Sequence, residues 1–258
     1  MNIVKIRNLE IGKGKPKIIV PIVGTTKDEI INEAINLKLE IFDMVEWRVD
    51  YFEHAFEINK IEEILIKLRE ILLNIPILFT FRTDKEGGCK EIDIEKYLLI
   101  NKYVLNNKLI DLIDIELFIG NKIVNELVKL AHNNNINVLI SNHDFEKTPK
   151  CEEIISRFKT MDDLGGDILK VVVMPKSKLD VIELMKASVV IRNSNICRPI
   201  VAISMSYLGI ISRFCGEIFG SDLTFGSGGK LSAPGQINVE DLNNLIEIIH
   251  KNLNQLNY

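Results

Sequence analysis

A lysine in the middle of an apolar run is the residue of this chain most open to chemical use. Asp167-Ile-Leu-Lys170-Val-Val-Val173 reads as a short buried strand, where an ammonium is costly unless it is paired or neutralised. A lysine that gives up its proton there becomes an amine able to attack a ketone. The plain alternative is a lysine at a strand end whose head reaches water. Other polar residues shift the balance towards chemistry. Glu46-Trp47-Arg48 places an acid and a base two residues apart, on one side of a strand. Thr80-Phe81-Arg82-Thr83 leads into Glu86-Gly87-Gly88, Asp114-Ile115-Glu116 closes another apolar run, and Ser141-Asn142-His143-Asp144-Phe145 closes the next. Ser204-Met205-Ser206 is followed by Arg213.

A neutral Lys170 amine would condense with a ketone to an imine, and the protonated imine would acidify the adjacent C–H. His143 titrates near neutrality and could take that proton and later return one. Glu86 is a candidate carboxylate to fix its tautomer. The arginines would hold a substrate carboxylate in bidentate fashion and, as neighbouring positive charge, help Lys170 lose its proton. Taken singly, Glu46, Arg48 and Asp114 read as a structural ion-pair network, Glu86 as a solvated loop acid, and Met205 and Phe225 as core. Taken together they fall at one end of successive strands, a phase that random surface charge would not keep.

The elements that must position them alternate. Expected strands are Ile18–Val23, Met44–Val49, Ile77–Phe81, Leu112–Glu116, Val138–Ser141, Ile168–Val173, Ile200–Ser204 and Leu223–Phe225. Expected helices are Lys27–Leu37, Lys60–Leu73, Ile94–Leu105, Lys122–Asn133, Glu152–Leu164, Lys178–Arg192, Leu208–Phe214 and Val239–Leu253, each with apolar residues at helical spacing. Asp180-Val-Ile-Glu183 resembles a capping box, although the aspartate could equally lie in the first turn. Eight such units predict an α/β fold, a (β/α)8 TIM barrel of about 250 residues, with its active site at the C-terminal strand ends. An open doubly wound sheet is the alternative, but Val23-Gly24-Thr25-Thr26 lacks the glycine-rich dinucleotide turn. Val4–Ile6 and Leu9–Ile11 read as an N-terminal β-hairpin closing the bottom of the barrel. Gly226–Gln236 is rich in glycine and reads as a lid or a plain flexible connection.

With 258 residues, 47% of them hydrophobic, the chain can bury a large core, and one barrel domain over residues 1–258 is expected. A net charge of −4 gives no nucleic-acid footprint. Cys89, Cys151, Cys197 and Cys215 form no C-x-x-C pair and read as free thiols in a reducing compartment. No H-E-x-x-H pattern occurs, so no metal is expected. The absence of an apolar leader or spanning run predicts a cytoplasmic protein with no membrane partner.

These motifs, in this order, resemble the type I 3-dehydroquinate dehydratases over essentially the whole chain. The resemblance rests on E-x-R at Glu46–Arg48, Thr80–Thr83 with Glu86-Gly87-Gly88, His143-Asp144-Phe145, Lys170, Ser204-Met205 with Gly209-x-x-Ser212-Arg213, and Ser232-Ala233-Pro234-Gly235-Gln236. It implies a homodimeric barrel with no cofactor, acting on the small molecule 3-dehydroquinate in the shikimate pathway. It further implies that Lys170 forms the Schiff base, that His143 moves the protons and that Glu86 orients His143. Arg213 would clamp the carboxylate. Glu46, Arg48, Arg82, Ser232 and Gln236 would bind substrate oxygens, and Met205, Phe145, Phe225 and Ala233 would form the wall. Pro21 stands where some relatives carry a small hydroxyl residue, which puts a contact there in doubt. The rival readings are a class I Schiff-base aldolase barrel, which needs a phosphate cradle, and a non-catalytic metabolite-binding barrel, which needs no nucleophilic amine.

Overall fold

Alternation decides which side chains of each strand face inward. In β8 (Ile168–Val173), Leu169, Val171 and Val173 pack outward with Leu184, Ala187 and Ile191 of helix α6 (Lys178–Arg192). Ile168 and Val172 belong instead to an inner cluster with Ile19, Met44, Leu78, Leu112, Leu139 and Leu223. Lys170 shares their parity and therefore points into the interior. The same parity holds round the molecule in β3 (Lys17–Ile22), β4 (Met44–Arg48), β5 (Ile77–Thr80), β6 (Leu112–Glu116) and β7 (Asn137–Asp144). It continues in β9 (Ile200–Ser204) and β10 (Leu223–Ser227). On β4, β5, β6 and β7 the inner side begins apolar, at Met44, Leu78, Leu112 and Leu139, and becomes polar towards the C-terminal end.

The computed structural model describes residues 2–37, 41–230 and 232–255; Leu231, within the expected lid, lies outside them. The eight strands run parallel in the order β10-β3-β4-β5-β6-β7-β8-β9. The seam between β9 and β10 is closed at its base. There Asp222 N–H donates to Ile200 O at 2.8 Å, and Asp222 Oδ2 accepts from Ile200 N–H at 2.8 Å. Ser221 Oγ accepts from Ala202 N–H at 3.1 Å. Outside lie α1 (Lys27–Leu37), α2 (Ile58–Leu72), α3 (Ile94–Asn107), α4 (Asn121–Asn133), α5 (Cys151–Asp163), α6 and α9 (Val239–Gln255).

The predicted barrel is the observed one, and so is its plug. β1 (Val4–Ile6) and β2 (Leu9–Ile11) pair antiparallel, and Val4, Ile6 and Ile11 join the inner cluster at the strand N-termini. Arg7 at the hairpin turn binds Asp111 at 2.6 Å, and Asp111 also accepts from Arg69 and Ile77 N–H.

Three local expectations are corrected. β7 runs on to Asp144, three residues past the predicted end, because its pairing with β8 continues through His143↔Val172 and Asp144↔Val173. The capping box of α6 is Ser177 with Asp180, not Asp180 with Glu183, so the alternative that the aspartate lies in the first turn is the one that holds. The short Asp180 side chain reaches back to the Ser177 N–H, while Glu183 turns to Cys151 N–H at 3.2 Å. The predicted helix Leu208–Phe214 is broken into a 3-10 turn (Tyr207–Gly209) and the short helices α7 (Ile211–Phe214) and α8 (Gly216–Phe219). A Cβ on Gly209 would stand 2.1 Å from Ser204 O, so the chain hugs the end of β9 there instead of rising as a helix.

Candidate active site

All thirteen side chains expected to carry the chemistry line one pocket at the C-terminal mouth, enclosing about 510 Å³ of space including open water at its entrance. Gly87, Val172 and Ile203 complete its lining.

Lys170 rises from the centre of β8, between Ser141 on β7 and Val201 on β9 in register. It is only 4% exposed. Its Nζ lies 3.9 Å from Asp114 Oδ2 and 4.1 Å from the centre of the Phe225 ring. Burial lowers its pKa; Glu46 and Asp114 pull it back up, and Arg82 and Arg48 add a smaller downward push. The expectation that neighbouring arginines help the amine lose its proton holds, and burial is the larger cause because it removes the water that would solvate the ammonium.

His143 sits on β7, and its Nδ1 lies 3.0 Å from Glu86 Oε2, the same oxygen that accepts from the His143 backbone N–H at 2.8 Å. Asn142 Nδ2 donates to Glu86 Oε1 at 3.1 Å. Burial, and then the charges of Arg82, Lys170 and Arg48, hold the imidazole well below its ordinary pKa. Burial lifts Glu86 to about 8, against Arg82 and its hydrogen-bond donors. A neutral imidazole that donates from Nδ1 leaves Nε2 as its basic atom. Glu86 is brought here by a 3-10 turn, Asp84–Glu86, that ends at Gly87 with φ 84°. A Cβ on Gly87 would meet the Phe145 ring at 2.3 Å, so the glycine lets that ring cap the turn.

The cations are held differently from one another. Arg82 gives Nη1 to Glu116 (3.0 Å) and Ser141 (2.9 Å) and Nη2 to Asp114 (2.6 Å). Arg48 forks onto Asp50 through Nε and Nη2, both at 2.8 Å. Arg213 of α7 has no acidic partner among the described residues. It donates to Pro234 O at 2.8 Å and Phe225 O at 3.4 Å, and its Nε is buried without an acceptor. Burial alone lowers its pKa to about 10. An unpaired guanidinium in such a place invites an anion.

The remaining predicted residues form the walls. Glu46 accepts from Thr80 Oγ1 at 2.8 Å. Pro21 lies beside Glu46 in the β3–β4 register and offers no polar atom of its side chain. Gln236, just before the short strand β11 (Ile237–Asn238), accepts from Ser232 N–H at 2.7 Å and donates to Ser232 Oγ at 2.9 Å. β11 pairs with β10, which anchors the end of the glycine-rich segment over the pocket. Met205 is fully buried, Phe225 nearly so and Phe145 half-exposed; Ala233 completes the rim.

Sequence reasoning gave no site role to Asp50, Glu116, Ser141, Asn142 or Arg157, and treated Asp114 as structural. Asp114 and Glu116 share the parity that marked Glu46 and Arg48, which was the available signal. Arg157 binds the Asn142 side chain from α5. It had no signal, since only packing brings that helix to the strand end.

A family model described as type I 3-dehydroquinase matches residues 18–253. The chain is 51% identical to a 3-dehydroquinate dehydratase of Clostridium botulinum, over 97% of this chain and 99% of that one. Among solved structures it is similar to a type I 3-dehydroquinate dehydratase from Clostridium difficile with covalently modified comenic acid. That match has a TM-score of 0.95 at 48% identity, covering 97% of this chain and 99% of the other. The 3-dehydroquinate dehydratase of Enterococcus faecalis superposes with a TM-score of 0.90 at 37% identity, covering 95% and 98%. Barrel, site geometry and sequence agree: the chain belongs to the type I 3-dehydroquinase family.

Proposed function

We propose that this protein dehydrates 3-dehydroquinate to 3-dehydroshikimate in the shikimate pathway, through an imine on Lys170. The observation that carries this reading is the convergence of three groups on one pocket: a buried Lys170 amine, the His143–Glu86 pair and an arginine, Arg213, with no acidic partner among the described residues.

The neutral Lys170 amine adds to the C3 ketone, and the carbinolamine loses water to give the imine. His143 Nε2 removes a proton from C2, made acidic by the protonated imine, and the resulting enamine expels the C1 hydroxyl as His143 returns the proton. Water then hydrolyses the conjugated imine and releases product and amine. Glu86 keeps the imidazole in the Nδ1–H tautomer. Arg213 takes the substrate carboxylate. Glu46, Arg48, Ser232 and Gln236 meet the hydroxyls, while Arg82, held by its acids, acts through its charge. Met205, Phe145, Phe225 and Ala233 enclose the ring. Neither the aldolase nor the metabolite-sensor reading has the support of the family match.

The reading extends to a cytoplasmic homodimer. α6 carries exposed Leu179, Ile182, Val189 and Val190, and the adjoining Tyr207, Ile210 and Ile211 are also exposed. A helix apolar on both faces calls for a partner on its outer one. Sedimentation should give twice the chain mass, and Ile182→Lys with Tyr207→Glu should give the monomer.

The decisive test combines an enone absorbance assay with borohydride trapping. Turnover of 3-dehydroquinate should raise enone absorbance, and borohydride with substrate should inactivate the enzyme and leave one adduct on Lys170. An adduct elsewhere, or full activity in Lys170→Met, would remove the mechanism.

A further inference from the structure

The face of the Phe225 ring stands 4.1 Å from Lys170 Nζ, yet no acceptor lies within hydrogen-bond distance of that nitrogen among the described residues. The ring is 5% exposed and sits on β10, paired with β3. Its backbone carbonyl accepts from Arg213, so the site's own architecture fixes it.

The chemistry asks two opposite things of this nitrogen. It must be neutral to attack and positively charged once it is an imine, because only the protonated imine draws electrons from the neighbouring carbon. Burial favours the first and opposes the second equally, since it disfavours either cation. The charged groups that act on the nitrogen are Glu46 and Asp114 on one side and Arg82 and Arg48 on the other, and each acts through its full charge. An aromatic face carries no net charge, and its attraction for a cation grows as water leaves. Substrate filling the pocket supplies that drying.

Resting on the imine reading, we propose that the Phe225 ring is a catalytic group: its π face stabilises the protonated imine of Lys170 after substrate has displaced water. The bond change is the one already described. Amine, ketone and a proton give the protonated imine and one water, and the ring takes no atom in the exchange.

The test replaces Phe225 in the full-length enzyme by mono-, di- and trifluorophenylalanine and by cyclohexylalanine. Fluorine withdraws electron density from the face with little change in volume, and cyclohexylalanine keeps the bulk without the π system. At saturating 3-dehydroquinate, kcat should fall stepwise with fluorine count, by about 10- to 30-fold over the series. Cyclohexylalanine should match the most fluorinated ring. The acid limb of kcat/KM should move to lower pH along the same series, because the free ammonium also loses the ring's support. A ring that merely fills space would leave both readouts flat, and that result overturns the proposal. Borohydride trapping on the unsubstituted enzyme separates the two levels. No adduct on Lys170 there removes the imine reading itself, whereas an adduct with a flat fluorine series removes only the role of Phe225.

Discussion

One oxygen of Glu86 receives both the backbone N–H and the Nδ1 of His143, at 2.8 and 3.0 Å. The acid therefore fixes the ring's tautomer and the position of its strand together. Burial keeps the imidazole neutral well below its ordinary pKa, so it is ready as a base without first losing a proton.

Removing that base should leave the first covalent step intact. His143→Ala should still give the borohydride adduct on Lys170 while steady-state turnover falls by about 10²–10⁴-fold. Glu86→Gln should fall by less, since the ring stays in place but its orienting acceptor is weakened. Near-normal turnover in His143→Ala would show that another group moves the proton.

The pH at which Lys170 becomes nucleophilic should move in opposite directions with two neighbours. Glu46 raises the amine's pKa, so Glu46→Gln should shift the acid limb of imine formation to lower pH. Arg48 lowers it, and Arg48→Met also leaves Asp50 unpaired beside the pocket, so that variant should shift the limb to higher pH. Each shift should be about one pH unit, the size of a roughly 1.4 kcal/mol change in interaction. Rapid-quench trapping across pH measures it, and shifts of the same sign would refute the assignment.

Arg213 bears a buried charge with no acid opposite it among the described residues, so its loss should weaken recognition more than folding. Arg213→Met should lower kcat/KM by about 10²-fold or more, as expected when charge-assisted hydrogen bonds to a carboxylate disappear. Its melting temperature without substrate should stay close to wild type. Substrate analogues lacking the carboxylate should not distinguish the two enzymes, and a large preference retained for wild type would count against the clamp.

Gly87 and Phe145 should behave as a coupled pair. Gly87→Ala forces a side chain onto φ 84° and into the Phe145 ring. The backbone part should cost about 1–2 kcal/mol. Adding Phe145→Ala should recover the remainder of the lost stability but not the backbone part. Additive effects of the two substitutions in chemical denaturation would show that they do not touch.

The hairpin should act on stability alone. Ile11 is fully buried at the barrel floor, far down the strands from the mouth. Ile11→Ala should cost about 2–5 kcal/mol and lower Tm by roughly 5–15 °C, with KM and kcat unchanged at a temperature where the variant is folded. A raised KM would mean that the floor and the site communicate.

Much of this molecule is legible in its sequence. Strand alternation in Ile168-Leu-Lys170-Val-Val172 already puts Lys170 on one face, and eight repeated units leave few ways to close a parallel sheet. The local misreadings share a cause. Asn142 and Asp144 are poor strand formers, and pairing with β8 overrides that preference. The Leu208–Phe214 stretch has helical periodicity, but contact between Gly209 and the end of β9 breaks it. Arg157 had no mark at all, since a helix residue reaches a strand end only through packing.

By itself the sequence determined which residue types gather at the strand ends and on which face each stands, because chain periodicity is a property of the backbone alone. The tertiary structure decided which charges are neutralised. Arg82 and Arg48 are matched by Asp114, Glu116 and Asp50, whereas Arg213 is left to meet an anion. That division depends on distances across the barrel and on how completely its wall shuts out water, and no spacing along the chain encodes either.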